Sequence, residues 1–395
     1  MRDEDLTART DELSRRSLFR LGGTVGIAAA GGALLAACGS SGDTGTAGSS
    51  QSTASSGGPG QSSTSAAVTS GSGSAAVSDV DLEAARKEGQ LVIWHNEQEP
   101  DVVKFLSGFT EKTGIATTQL KIPPAEAVAK LKLEVPKGVS TVDILMAGQD
   151  TAYQVQQLDM FQQYSPANID DYPAELRSDP AGYWTAFYLN LKGMVYIPSV
   201  VKPEDAPKQF EDILDPIWKD QLVFAGPASS SEYAFWYELR DLLPDDFFDK
   251  LAGQRPVAFD SSTAMIAELN NGNKKLTPNM SVFQLTKAKR SNLDLAVAYD
   301  SRGLVTTSST VSIMKTTKRP NAAKAYTDYL LSEAGQRIWN VDITGSYSPL
   351  MRVAPPELPD RSEFKLLLPS DMEDFGDPAN RAEFEKLWSR VVGLS

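Results

Sequence analysis

From Asp79 onward, apolar residues switch repeatedly between a helical and a strand-like rhythm, and the switches outline the elements. Residues 81–88 read as a short helix stopped by Gly89, and residues 90–94 as a buried strand. Pro100 opens a helix whose apolar residues Val102, Phe105, Leu106 and Phe109 recur at the i, i+3, i+4, i+7 spacing of one helix face, and Gly114 closes it. A strand over 115–120, a helix over 125–134, a strand over 142–146 and a helix over 150–158 follow. Such alternation predicts an α/β fold with a mostly parallel sheet and helices on both faces.

The pattern changes near Tyr183. Residues 183–197 form one long strand-like stretch that could cross between domains. A second α/β set then begins with a strand over 221–224, followed by helices over 232–242 and 263–270. Strands over 293–298 and 311–314 and helices over 321–331 and 334–339 complete it. The tail from Pro355 is rich in Pro, Asp and Glu and ends in a helical stretch over 381–392. The acidic run 241–249, broken by Pro244, reads as a helix end and a new cap, because the spacing of a calcium loop is missing. There is no internal repeat.

Composition narrows the chemistry. The chain has 395 residues, 41% hydrophobic and 23% charged, enough for about two domains at roughly 100 to 200 residues each. A single cysteine, Cys38, and a single histidine, His95, exclude an internal disulfide, a CxxC site and any multi-histidine metal centre. Acidic residues outnumber basic ones 51 to 38, a net charge of −13, so no whole-protein field draws nucleic acid or anionic lipid.

The amino end is targeting chemistry rather than fold. Ser14-Arg15-Arg16-Ser17-Leu18-Phe19-Arg20 is a twin-arginine pattern ahead of the uncharged stretch 21–37. Five glycines among those 17 residues make a poor membrane-spanning helix. The stretch ends in Leu35-Ala36-Ala37-Cys38, which resembles a bacterial lipobox whose cysteine thiol is acylated by lipid. Residues 1–38 are therefore read as a twin-arginine lipoprotein signal, similar to those of proteins exported already folded. Residues 39–78 are almost wholly Gly, Ser, Thr and Ala with Asp43 the only charge. They cannot bury enough apolar surface to offset ordering entropy and read as a disordered tether with a span of roughly 35 Å. The expected location is extracytoplasmic, lipid-anchored through Cys38 to the outer face of a bacterial cell membrane.

Gly89-Gln90-Leu91-Val92-Ile93-Trp94, the helix ending Phe109-Thr110-Glu111-Lys112-Thr113-Gly114-Ile115, the strand Val142-Asp143-Ile144-Leu145 and the late segments Asn321-Ala322-Ala323-Lys324 and Ser332-Glu333-Ala334-Gly335-Gln336 resemble the extracellular solute-binding proteins of ABC importers. The group most similar contains ferric-iron, phosphonate, thiamine and polyamine binders, and the resemblance covers nearly all of residues 80–355. It implies a two-lobed periplasmic-binding-protein-like fold of type II, with a ligand cleft between the lobes. The first lobe would span about 79–186, with about 300–395 returning to it, and the second about 187–299. It also implies a monomer without cofactor or catalytic activity that captures a small-molecule solute, closes by a hinge motion and delivers its cargo to a cognate ABC permease. Two crossings between α/β lobes independently bring the carboxyl ends of strands and helix amino ends around one crevice.

Several segments are candidates for that crevice. Trp94-His95-Asn96-Glu97 is a polar burst at the carboxyl end of a buried strand, where the family holds ligand. Gly148-Gln149-Asp150 opens a helix and offers backbone N–H groups at its positive end, while Asp150 also suits a cap. Ser229-Ser230-Ser231-Glu232 combines capping-box spacing with spare hydroxyls, and Asp260-Ser261-Ser262-Thr263 repeats the arrangement. Both clusters map to the second lobe's cleft in the family. Tyr299-Asp300, with Arg302, follows a strand near the expected second crossing and reads either as an anchor or as a turn closed by Gly303.

The ligand question turns on a departure from the family. Ferric-binding relatives carry an adjacent tyrosine pair in the second lobe, and the matching stretch here is Asn279-Met280-Ser281-Val282-Phe283-Gln284, without a tyrosine. Any metal at His95 would need carboxylates and tyrosines as partners. The expectation is a small polar organic solute, with no metal, held by the serine clusters and stacked on Trp94 or Tyr299. A ferric-iron or metal-chelate binder of the same fold is the alternative, and a secreted carboxylate-dependent hydrolase the second. A serine hydrolase is disfavoured, because residues 79–395 lack a G-x-S-x-G elbow and one histidine leaves only His95 as base.

Overall fold

The computed structural model describes residues 80–227, 230–369 and 371–394, with the backbone alone at Ser230 and Ser231. The signal segment, Cys38, the tether over 39–78 and Ser229 lie outside the described residues. Within the first lobe the apolar rhythm produces what it predicts. Asp81 caps α1 (Leu82–Lys87), its carboxylate accepting from the Glu83 and Ala84 amides at 2.9 Å. β1 (Leu91–His95) leads into α2 (Glu99–Thr113), which buries the predicted stripe and ends at Gly114, at a φ of 71°. β2 (Thr117–Lys121), α3 (Pro124–Glu134), β3 (Ile144–Gly148), α4 (Gln149–Gln157) and the short β4 (Phe161–Gln162) follow. β1 lies between β2 and β3, parallel to both.

β5 (Thr185–Tyr196) then carries the chain out of this lobe. The second lobe contains β6 (Val223–Ala225), α5 (Ser230–Leu239), α6 (Phe247–Gly253), β7 (Val257–Phe259), α7 (Ser262–Asn270), β8 (Leu276–Ser281), α8 (Phe283–Arg290) and β9 (Ala296–Ala298). β10 (Leu304–Met314) returns to the first lobe, where α9 (Pro320–Leu331), α10 (Glu333–Arg337) and a π-helical turn (Ile338–Thr344) pack on α2 through Phe105, Tyr326 and Trp339. β11 (Leu366–Leu367), α11 (Met372–Phe375) and α12 (Pro378–Val391) end the described chain.

The main sheet has the order β2-β1-β3-β10-β5-β8. Contrary to the expectation of a mostly parallel sheet, β10 runs antiparallel to β3 and β5, and β5 antiparallel to β8 and β9. The reason is topological: a strand leaving a lobe and the strand returning beside it must run in opposite directions. Residues 185–191 of β5 pair with β10, and residues 192–196 pair with β8 and β9. Gly193 permits the second exchange, since a Cβ there would come within 2.4 Å of Val297 Cγ2 on β9. β10 also extends well beyond the predicted 311–314, because the hydroxyl-rich Thr306–Ser309 stretch is paired with β5.

The tail corrects the expectation that residues 300–395 return to the first lobe. Residues from Ala322 to Val353 do join that lobe's core, but Leu358 and Phe364 pack with the second lobe, as do Phe375, Phe384, Trp388 and Val391. The apolar face of α12 decides this. Trp388 is fully buried, with its ring centroid 5.1 Å from Phe224, 5.3 Å from Trp236 and 5.8 Å from Phe384, and its indole N–H donates to the Ala225 carbonyl at 3.0 Å. Asp374 adds polar ties, accepting from Tyr237 at 2.7 Å and Arg240 at 2.9 Å. Trp388→Ala is expected to cost about 3–5 kcal/mol of stability in urea denaturation, as large-to-small changes in a packed core do. A loss below about 1 kcal/mol would place the tail outside the cooperative unit.

Candidate functional site

A cavity of about 700 Å³ lies between the lobes. Strand alternation builds its floor. Along β5, Phe187, Leu189 and Leu191 are buried in the cores, while the intervening Tyr188, Asn190 and Lys192 line the cavity. On the neighbouring strands Ser309 stands opposite Tyr188, Thr307 opposite Asn190, and Ser281 opposite Lys192. The result is a polar strip across the strands that join the lobes. Ser308 fastens it to the first lobe by donating to Gln149 Oε1 at 2.7 Å.

The walls come from strand ends and helix starts. The first lobe supplies Asn96, Glu97 and Gln98 after β1, and Gly148, Gln149 and Asp150 where β3 turns into α4. The second lobe supplies Asp260, Ser261 and Ser262 before and at the start of α7, and Asn279 and Ser281 on β8. Ser261 is the N-cap of α7, accepting from the Ala264 amide at 3.2 Å. Aromatic surface comes from Tyr188, Tyr233, Phe259, Phe283 and Phe375, and Arg381 reaches the cavity from α12.

Two opposite charges are buried together at the second-lobe end of the floor. Lys192 Nζ donates to Ser281 Oγ at 2.9 Å. Loss of solvation lowers its pKa to about 8, opposed by Glu232. Glu232, on α5, accepts from the Trp236 indole at 3.1 Å, and burial raises its pKa to about 7 against the pull of Asn279, Lys192 and Trp236. In the first lobe, burial raises the pKa of Glu97, with Ser309 hydrogen bonding working the other way. The phenol of Tyr188 is pushed well above its usual value by burial and then by Glu97, and burial does the same to Tyr233. Both tyrosines are therefore neutral hydrogen-bonding groups.

Against the expected site, Asn96, Glu97, Gly148, Gln149, Ser261 and Ser262 all line the cavity, as does Asp150. Four candidates do not. Trp94 belongs to the first lobe's core, where Lys130 lies 4.6 Å over its ring. His95 is fully buried, its Nε2 2.6 Å from Gln119 Oε1, and burial lowers its pKa. Both sit within β1, a strand enclosed by β2 and β3, so the polar mouth begins at Asn96, two residues later than expected. Tyr299 stacks on Phe364 at 5.8 Å in the second lobe's core. Asp300 is buried, paired with Arg302 at 2.6 Å, and accepts from the Phe210 amide at 2.9 Å. It is a structural anchor, and the aromatic residues that line the cavity are the five named above rather than Trp94 or Tyr299. Ser229 lies outside the described residues, and α5 begins at Ser230, between the lining residues Pro227 and Tyr233.

The floor residues Tyr188, Asn190, Lys192, Asn279, Thr307 and Ser309 are additions. The alternation Phe187-Tyr188-Leu189-Asn190-Leu191-Lys192 carried the signal for the three on β5. Among the described residues, no group of three or more His, Cys, Asp or Glu is arranged to hold a metal ion, and no helix is long and apolar enough to cross a membrane.

A model of the bacterial extracellular solute-binding protein family matches residues 140–370, more than half of the chain. The chain belongs to that family. As an extracellular solute-binding protein it acts outside the cytoplasm, and its fold recurs in solved structures. Iron-bound HitA from Pseudomonas aeruginosa is 18% identical with a TM-score of 0.65, covering 75% of this chain and 98% of its own. AfuA from Actinobacillus pleuropneumoniae, with exogenous fructose-6-phosphate bound, is 20% identical with a TM-score of 0.62, covering 78% and 99%. A ferric binding protein from Campylobacter jejuni is 17% identical with a TM-score of 0.62, covering 76% and 99%. Comparison with curated proteins yields no match.

The charged pair gives this solute-binding protein a testable signature. Lys192→Met or Glu232→Gln alone leaves its partner's charge buried and is expected to cost about 3–5 kcal/mol, whereas the double substitution is expected to be near neutral or stabilising. Relative to that double variant, the wild type should lose stability as pH rises from 4.5 to about 7, because native Glu232 holds its proton longer than the unfolded chain does. It should regain stability from about 8 toward 10.5, because native Lys192 sheds its proton earlier. Melting temperatures of the two proteins across this range check the sign; parallel curves would contradict it.

Proposed function

We propose that this protein is the substrate-binding component of an ABC-type importer, exported through the twin-arginine route and held to the membrane by a lipid on Cys38. It captures a small polar organic solute between its lobes and delivers it to a membrane permease. The observation that carries this reading is the position of the polar strip. A solute resting on Asn190, Lys192 and Thr307 touches the strands that join the lobes, while the side chains of both walls stand over it. Contacts with both walls would favour a closed arrangement by their differential energy, which is what couples capture to a hinge.

The donor set favours an organic solute over a metal. The floor offers amides, hydroxyls and one ammonium, and the tyrosines at the cavity come singly from β5 and α5, with phenols that resist ionisation. A hard cation prefers ionised oxygen donors. The solved structures named above, one iron-bound and one with fructose-6-phosphate bound, share one architecture with different cargo. The fold alone therefore does not choose.

Isothermal titration of the folded protein against ferric citrate, spermidine, thiamine, aminoalkylphosphonates and sugar phosphates tests the reading. One organic solute is expected to bind and raise the melting temperature, since a ligand at about 100 times its Kd adds about 2.7 kcal/mol. Tight ferric binding would overturn the choice of solute, and turnover of any panel member would overturn the transport role. Independently, Cys38→Ala is expected to move the protein from the membrane to the soluble fraction of the producing cell. Unchanged membrane association would contradict the lipid anchor.

A further inference from the structure

Asn279 is only 3% exposed, lies on β8 and lines the cavity. Its carboxamide sits beside Glu232 and weakens the upward shift of that carboxyl. Neither its oxygen nor its nitrogen completes a hydrogen bond of normal geometry, and Asn190 Oδ1 on β5 lacks a partner as well. Buried polar atoms in native proteins are nearly always satisfied by protein, water or ligand. Two residues along β8, on the same face, Ser281 accepts from the Lys192 ammonium. A cation, two amides and a hydroxyl thus converge on one stretch of cavity floor.

Resting on the reading of this cavity as a solute site, we infer that Lys192, Ser281, Asn279 and Asn190 form an oxyanion subsite, so that the captured solute carries a carboxylate or phosphate beside hydroxyls. The oxyanion pairs with the Lys192 ammonium and accepts from Asn279 Nδ2. Neighbouring hydroxyls of the solute donate to the oxygens of Asn279 and Asn190, one to each. Glu232, behind Lys192 on α5, is a positioning residue that helps to keep the ammonium charged.

Carboxylates also line the cavity, but their surroundings account for them. Asp150 occupies the first turn of α4, where the helix dipole favours a negative charge. Glu97 is hydrogen-bonded by Ser309, and its burial favours the neutral acid. Asp260 immediately precedes the N-cap of α7. Asn279 has no such local explanation, and Lys192 is the most buried of the charged residues that line the cavity.

The test measures affinity for glucose 6-phosphate against glucose, and for gluconate against gluconamide, with spermidine as a cationic control. The two pairs separate phosphate from carboxylate. At least one anion is expected to bind about tenfold or more tightly than its neutral counterpart, the size of a hydrogen bond to a charged group. Asn279→Ala and the double variant Lys192→Met/Glu232→Gln, each verified as folded by circular dichroism, are expected to abolish most of that preference. Tighter binding of a neutral member or of spermidine, or a preference that survives in both variants, overturns the subsite. Where no probe binds, solute released from protein purified out of its native cell is identified by mass spectrometry. An anionic solute displaced by Asn279→Ala supports the subsite. A neutral or cationic one overturns it while leaving the solute-binding role intact, and no solute at all overturns both.

Discussion

The antiparallel pairing of β5 with β10 is the constraint on which the rest of the molecule depends. The strands are registered from Thr306 opposite Leu191 to Val311 opposite Thr185, and each is shared between lobes. Because the period of a strand is two, that register fixes which side chains enter the lobe cores and which face the gap between them. A slip by one residue would turn Leu189 and Leu191 toward the cavity and bury Asn190 and Lys192 among apolar groups. The cavity floor and the connection between the lobes are consequently one structure.

Around this floor, buried charges hold the pieces that must not move. In the first lobe Asp143 accepts from the Val92 amide at 2.8 Å and from Thr317 at 2.7 Å, and pairs with Arg319 at 3.0 Å, tying the segment before β3 to β1 and to the start of α9. In the second, Arg302 joins Asp300 at 2.6 Å to Glu211 at 2.7 Å where the chain enters β10. Buried pairs of this kind add little net stability, but removing one partner is costly, so they act as registration points. The Lys192–Glu232 neighbourhood differs from both in one respect: it opens onto the cavity.

Much of the first lobe was legible because its helices are amphipathic and its strands apolar, and the α2 stripe through Phe105 and Phe109 is buried as the spacing required. The parts that escaped are those where polar residues are buried within strands. β8 reads Leu-Thr-Pro-Asn-Met-Ser, with a proline and an asparagine inside a fully buried strand. Its register on β5 shifts at that point, which is how a residue without an N–H is accommodated. Trp94 and His95 were assigned to the site because a polar run follows a strand end, but their backbones are still paired with β2, and only Asn96 and Glu97 emerge. Tyr299 and Asp300 differ for another reason: the ring found a stacking partner in the distant Phe364, which no local pattern encodes, and the carboxylate took the turn alternative, paired with Arg302 two residues on.

A capture mechanism requires that the two halves change their separation when the cavity fills. Leu133 on α3 and Ile217 before β6 are exposed on opposite lobes, and cysteines placed there in a Cys38→Ala background can carry spin labels without disturbing the cavity. The distance between the labels, measured by pulsed electron resonance with the solute stripped and then restored, tests the claim directly. A distribution that shifts to shorter distances and narrows on restoration is the expected result. Identical distributions, with binding confirmed by calorimetry on the same sample, would contradict it.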